Sequence, residues 1–303
     1  MEGQTYAGSS LASRYASFVK LPHTLFALPF AGVGAILASY EHADALSIGA
    51  IGWIVLAFTA ARFAAMGFNR IVDRHWDALN PRTAQRELPA GTLSVSQAAT
   101  SVFAASALFV LAAWMLNPLC GMLAPVALAW VFFYSYTKRF THWAHWVLGL
   151  GLGIAPSAAY LGLSGVWPEP WYALPILSAA VMFWVAGFDV IYALQDLDFD
   201  RAHGLHSVPA RVGAKSALMR ARISHAVSFV LFTSLLVLGI FPVGAFYAGA
   251  LVIMAGLLVY EHTLIGGGEP ERLDLPRIDR AFFHANVGVS MSFFLFTLLD
   301  RLL

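Results

Sequence analysis

Residues 47–77 read SIGAIGWIVLAFTAARFAAMGFNRIVDRHWD. The stretch 47–68 carries a single charged residue, Arg62. A bilayer core of ~30 Å is crossed by a helix of ~20 apolar residues, so this stretch is long enough to span. Asn69, Asp73 and Asp77 then follow at four-residue spacing. At ~100° per residue each four-residue step turns a helix by only ~40°, so the three share one face. An apolar span that ends in a stripe of acids sets both the fold class and the place to look for chemistry.

The rest of the chain repeats the first half of that pattern. Of 303 residues, 59% are apolar and 12% charged, with a mean hydropathy of +0.70. Soluble domains run to about 45–50% apolar and about 25% charged. Only helices or closed barrels satisfy backbone groups in lipid. The apolar runs here are continuous, not alternating ten-residue strands, so helices are expected. Nine are counted, at roughly 21–40, 47–68, 96–116, 118–136, 144–163, 171–194, 216–239, 241–260 and 281–301. The third and fourth are split only by Asn117-Pro118, and the seventh and eighth meet at Phe241-Pro242. The expected architecture is an all-α polytopic membrane protein: nine transmembrane helices in one bundle around a central lipid-open cavity, a single domain over 1–303. A net charge of +1 gives no field that recruits nucleic acid. One cysteine, Cys120, excludes an intrachain disulfide. No obligate protein partner is evident. The first twenty residues include Ser9, Ser10 and Arg14 and have no apolar core, so a cleaved signal peptide is not expected.

The basic residues are segregated. Sixteen of the eighteen Lys and Arg lie before the first span or after even-numbered spans; Arg62 and Arg301 are the other two. The loops 41–46 and 164–170 carry none. The positive-inside rule then puts the N-terminus and the loops after even-numbered helices in the cytoplasm. For a bacterial host this is an inner-membrane protein whose chemistry faces the cytoplasm.

A second acidic stretch closes the sixth span: Asp189, Tyr192, Gln195, Asp196, Asp198 and Asp200. Helical arithmetic puts Asp189, Asp196 and Asp200 on one face. Carboxylates four apart repel, more so when partly desolvated. One reading has these acids solvated in loops and paired with Arg70, Arg74 and Arg201. The other has them drawing a cation. All-oxygen ligands suit Mg²⁺, which is bound typically through one or two carboxylates plus substrate phosphates. No Cys/His set has zinc spacing. The second reading is a Mg²⁺–diphosphate site between the ends of helices two and six, and ionisable residues near a membrane favour it.

A diphosphate needs further cations. The loop after helix two supplies Arg82 and Arg86, and the end of helix four supplies Tyr134, Lys138 and Arg139. Arg grips phosphate bidentately and Lys acts as a point charge. Tyr134 and Lys138, four apart, can reach one ligand together; Lys138 and Arg139 also serve as a plain positive-inside anchor. His203 and His206, three apart near acids, read either as ligands or, more plainly, as loop donors, and the other eight histidines carry no assigned role. Gly149, Gly151 and Gly153 read as a close-packing stripe in helix five. Gly266-Gly267-Gly268 reads as a hinge.

The motifs resemble a known family. Asn69-x3-Asp73-x3-Asp77, followed by Asn80-x-Arg82-Thr83-x2-Arg86-x-Leu88-Pro89-x-Gly91, resembles the first signature of the UbiA superfamily of intramembrane aromatic prenyltransferases. Asp189-x2-Tyr192-x3-Asp196-x3-Asp200-x3-Gly204-x2-Ser207 is similar to the second. Tyr134-x3-Lys138-Arg139-x-Thr141-His142, Arg14 and Lys20-Leu21-Pro22-His23-Thr24 resemble the 4-hydroxybenzoate polyprenyltransferase branch. Two departures stand out: His206 occupies a place where Lys is more usual, and Arg70 a place where many members have Asp. Residues 204–211 look like the MqnP-type subgroup, which implies 1,4-dihydroxy-6-naphthoate as acceptor in place of 4-hydroxybenzoate.

The resemblance implies Mg²⁺-dependent transfer of a polyprenyl group from a prenyl diphosphate to an aromatic ring carbon in ubiquinone or menaquinone biosynthesis. It implies that Asn69, Asp73, Asp196 and Asp200 hold Mg²⁺ with Asp77 close by. Tyr134, Lys138 and Arg62 are implied to bind the diphosphate, with Arg139 and Arg82 as further cations. Asp189 is the candidate acceptor contact or base. The alternatives are another prenyltransferase of the superfamily, with a geranylgeranylglyceryl phosphate, homogentisate or haem acceptor, and a cation-coupled transporter. Transporters place such acids near the bilayer midplane, whereas these sit at span ends.

Overall fold

The computed structural model describes residues 10–20, 24–266, 278 and 281–303. Leu21-Pro22-His23, Gly267, Gly268, Arg272, Arg277 and Arg280 lie outside the described residues. Among the described residues all regular structure is helical. Eight helices are long and apolar enough to cross a membrane. The remaining expected span, 21–40, is represented by a sixteen-residue helix, Thr24–Ser39, so the described residues give eight full-length spans and one shorter apolar helix. This is an all-α integral membrane protein.

The chain divides into two compact units. The first takes 1–25 and 52–136. It contains α1 (Leu11–Phe18), most of α3 (Ile48–Leu79), α4 (Val95–Leu116) and α5 (Pro118–Thr137) up to its last residue. Ser10 caps α1, accepting from the Ser13 amide. Ser94 and Gln97 form a reciprocal capping box at the start of α4. Between α4 and α5, Asn117 accepts from the Cys120 amide and Pro118 opens the new helix, where a missing N–H costs nothing. Phe18, Val19, Leu93 and Ala98 form the buried core, flanked by Tyr15, Phe63, Met66, Ile71 and Leu88. A Cβ on Gly67 would come within 2.7 Å of Val102, so α3 and α4 meet there through a glycine.

The second unit takes 26–51 and 137–303. It contains nearly all of α2 (Thr24–Ser39), then α6 (Ala144–Ser164), α7 (Ala173–Tyr192), α8 (Leu197–Ala202), α9 (Val208–Val212), α10 (Ala214–Val237), α11 (Ala245–Gly266) and α12 (Asn286–Leu302). Trp184 is fully buried and packs on Phe30 and Phe188; Phe30 also meets Phe232 and Phe293. Aromatic clusters of this kind bury large areas per residue. Gly149 and Gly153 bring α6 onto α7: an added Cβ would lie 2.4 Å from the Met182 and Ser178 carbonyls respectively. The close-packing reading of this stripe therefore holds for Gly149 and Gly153. Asp300 accepts from the amides of Gly244, Phe246 and Tyr247, capping α11 from the far end of the chain.

Two boundaries differ from the sequence reading. The second expected span continues as one unbroken helix to Leu79, so Asn69, Asp73 and Asp77 are helical. The sixth does the opposite: α7 stops at Tyr192 and tightens into a 3₁₀ turn over Ala193–Asp196 before α8. A 3₁₀ turn advances ~120° per residue. The simple 100° arithmetic for Asp189, Asp196 and Asp200 therefore does not hold through this segment.

Candidate active site

In the first unit, the end of α3 pairs two of its three signature residues. Asn69 Nδ2 donates to Asp73 Oδ2 at 2.9 Å. Asp77 is buried and engaged elsewhere: Arg86 reaches its Oδ1 at 2.6 Å, and Arg70 stands 3.9 Å from its Oδ2. Arg70 also donates to the Phe18 carbonyl. The structure thus joins Asn69 to Asp73 and gives Asp77 to two arginines. Expected at or beside the metal, Asp77 is buried against Arg86 and Arg70, of which Arg70 alone is among the partners of the alternative reading.

The signature's tail is what brings Arg86 there. Asn80 Oδ1 accepts from the Arg82 amide, an Asx turn. Thr83 Oγ1 donates to the Asp77 carbonyl, and the Arg86 amide to the Thr83 carbonyl. The Glu87 carbonyl accepts from the amides of Thr92 and Leu93. Gly91 has φ +71°, a left-handed conformation that suits glycine. Asn80, Thr83, Arg86 and Gly91 of this tail thus each have a local structural duty. Arg82 is half-buried within it. Arg62 donates to the Val19 carbonyl at 2.9 Å, which uses one of its five N–H groups to hold the end of α1. Tyr134 is half-buried on α5.

In the second unit the acids gather around a lysine. Asp196 and Asp200 are buried, and Lys138 Nζ lies 3.3 Å from Asp200 Oδ2. Burial by itself would lower the Lys138 pKa. The carboxylates of Asp200, Asp196 and Asp189, with the hydrogen bond to Asp200, outweigh it and hold the ammonium above its ordinary value. The loop after α8 secures the lysine's backbone: the His206 amide donates to the Lys138 carbonyl at 2.7 Å, and the Leu205 amide to the Asp200 carbonyl at 2.9 Å. Gly204 turns the chain at φ +68°. His203 stacks on Phe199 and its Nδ1 sits 2.9 Å from that residue's carbonyl. Both histidines lie in loop structure. Arg139 is exposed. His142 meets the Arg211 guanidinium; partial burial first, then Arg211 and Arg220, hold its pKa below the usual imidazole value.

Asp189 has a partner the sequence did not announce. His145 Nδ1 lies 2.6 Å from Asp189 Oδ2, and the Val208 amide donates to His145 Nε2 at 3.3 Å. His145 opens α6 with apolar neighbours and no charge pattern nearby. One signal was available: it precedes Gly149 and Gly153 by four and eight residues, and so shares the face that meets α7.

The donor chemistry suits a hard divalent ion. The acids and Asn69 offer oxygen ligands, and the excess of acids over lysine around Lys138 leaves negative charge for a cation to balance. Among the described residues no three His, Cys, Asp or Glu side chains are gathered as a ready-made metal cage.

Comparisons with known proteins identify the family. A model described as the UbiA prenyltransferase family matches residues 27–287. The chain is 29% identical to a 4-hydroxybenzoate octaprenyltransferase of Citrobacter koseri over 247 residues, 79% of this chain and 83% of that protein. A UbiA homologue from Aeropyrum pernix, solved without ligand, superposes with a TM-score of 0.79 at 32% identity, covering 92% of this chain and 98% of the homologue. A homologue from Archaeoglobus fulgidus, solved with GPP and Mg²⁺, gives 0.70 at 18% identity, covering 96% of this chain and all of that one, and shares the fold. With the family model spanning most of its length and both signature segments, this chain belongs to the UbiA prenyltransferase family.

Proposed function

We propose that this membrane prenyltransferase transfers a polyprenyl group from a prenyl diphosphate to an aromatic ring carbon in quinone biosynthesis, with Mg²⁺ as cofactor. The single observation that carries the reading is the Lys138 ammonium held among Asp189, Asp196 and Asp200. An ammonium beside a buried carboxylate, with two further acids acting on its charge, offers diphosphate a point charge once a divalent ion balances the acids. The diphosphate complex of the Archaeoglobus fulgidus homologue supports the same ligand class.

In this reading Asn69 and Asp73 of the first signature and Asp196 and Asp200 of the second serve as Mg²⁺ ligands. When bound, Mg²⁺ would supply neutralising charge for a departing diphosphate. Lys138 and Tyr134, with Arg62, Arg139 and Arg82 as further cations, hold the diphosphate oxygens. Asp77 fixes the 80–93 loop through Arg86. A lipid-open cavity takes the isoprenoid tail and excludes water from the allylic cation. Asp189 meets the acceptor or takes the ring proton. The bacterial relatives and the basic-residue bias support an inner-membrane location with the site at the cytoplasmic face.

The acceptor is 1,4-dihydroxy-6-naphthoate or 4-hydroxybenzoate; residues 204–211 support the first and the name of the Citrobacter koseri relative the second. Mass spectrometry of products from the purified protein, Mg²⁺, a polyprenyl diphosphate and each acceptor tests this. A prenylated product from one of the two is expected. Diphosphate that stays intact with both would overturn the reading.

A further inference from the structure

Asp189 stands seven residues before Asp196 and only partly exposed, with 18% of its side chain accessible, while His145 is 1% exposed. The helix interface explains how they meet. His145, Gly149 and Gly153 follow one another at four-residue steps along α6, and the glycines press against the Met182 and Ser178 carbonyls of α7. Without side chains at those two positions the helix axes approach closely, and the imidazole reaches the next acid along α7 at 2.6 Å.

The hydrogen bonds fix the imidazole's protonation pattern. The Val208 N–H donates to Nε2, so Nε2 presents a lone pair. The proton then resides on Nδ1 and is donated to the Asp189 carboxylate. His145 is therefore placed as a donor to Asp189. Val208 begins α9, whose cap is Ser207, and the neighbouring His206 amide holds the Lys138 carbonyl. One short segment, 206–208, thus fastens both the lysine that pairs with Asp200 and the histidine that pairs with Asp189.

Resting on the proposed prenyl transfer, we propose that His145 is a positioning residue: its Nδ1–H holds Asp189 as an oriented carboxylate toward the aromatic acceptor, under the control of the 206–208 segment. The step balances without an added reactant. The allylic C–O bond breaks with its electron pair leaving on diphosphate, and the ring carbon bonds the allylic carbon. The ring C–H electrons then return to the aromatic system as the proton passes to the second oxygen of Asp189. His145 donates to Oδ2 throughout, leaving Oδ1 to do the work. Outer partners that orient a working group typically matter by about 10–100-fold, and a positioned base by about 10²–10⁴-fold.

The test uses the full-length protein in detergent or nanodiscs. His145→Ala is expected to lower kcat about 10–100-fold, with binding of an unreactive prenyl thiodiphosphate and its Mg²⁺ dependence unchanged. His145→Asn, whose amide N–H stands near the place of Nδ1–H, is expected to recover most of the loss. Asp189→Asn is expected to lose at least as much as His145→Ala, and the double variant no more than Asp189→Asn alone. A melting curve separates misfolding from lost function; if His145→Ala unfolds, the His145→Asn and Asp189→Asn pair decides. Near-wild-type kcat in His145→Ala, additive losses in the double variant, or a loss carried wholly by diphosphate binding would each overturn the inference. A wild-type protein that transfers no prenyl group overturns the underlying reading instead, so the two failures are distinguishable.

Discussion

Lys138 Nζ and Asp200 Oδ2 stand 3.3 Å apart, although 62 residues separate them in the chain. Asp200 is 2% exposed at its side chain, so the ammonium is the cation that a buried carboxylate depends on. Lys138→Met removes both that partner and the point charge proposed for the diphosphate. A charge-assisted hydrogen bond is worth about 1.5–3 kcal/mol, so kcat/KM for the prenyl diphosphate is expected to fall about 10–100-fold. Steady-state kinetics at saturating Mg²⁺ would show it, and an unchanged kcat/KM would contradict the assignment.

The Asp77–Arg86 pair is expected to act on stability. Both side chains are largely buried and their charged atoms are 2.6 Å apart. Breaking a buried pair from one side costs about 3 kcal/mol or more. Arg86→Ala and Asp77→Ala are expected to lower the melting temperature and open the 80–93 loop to protease. The double variant should lose less than the sum of the two. Melting temperatures equal to wild type in both singles would place the pair outside the fold's support.

Gly149→Val tests the helix approach. Its Cβ would lie 2.4 Å from a backbone carbonyl, which no rotamer change relieves. Overpacking costs about 1–3 kcal/mol, and here it also separates His145 from Asp189. Reduced melting temperature and reduced turnover are expected together. Gly52→Ala is the control: nothing lies within 4 Å of its added Cβ, and stability should hold or rise by up to about 1 kcal/mol. A tolerated Gly149→Val would argue against close packing of α6 on α7.

Chelation gives a prediction at the level of the cofactor. EDTA is expected to abolish product formation and added Mg²⁺ to restore it, with the fold unchanged by circular dichroism. Turnover that persists through chelation would count against this chemistry.

Much of this was legible in the residues, for a physical reason. Spans and acid stripes are period and composition signals, so 96–116, 118–136 and 144–163 fall close to observed helices, and 47–68 lies within a longer one. The acids around Lys138 were legible as a cluster because carboxylates beside an apolar run are costly without partners. The 3₁₀ turn at Ala193–Asp196 was hidden, because Ala-Leu-Gln-Asp is equally good α-helix sequence. Asp77's choice of Arg86 over Asn69 and Asp73 depended on the Asx turn at Asn80, which a helical-face argument does not see. His145 was missed because a single histidine in an apolar helix has no periodic partner; only the glycine stripe on its face pointed at α7.

The most direct measurement is prenyl transfer by Asp73→Ala and Asp196→Ala, each from a different unit, in protein that inserts and melts normally. If both acids serve one metal-bound diphosphate, each variant should lose product formation by at least ~10³-fold, and the pair together should lose no more than the worse single. Turnover near wild type in either variant, with the other inactive, would show that the two acid clusters do not work on one substrate.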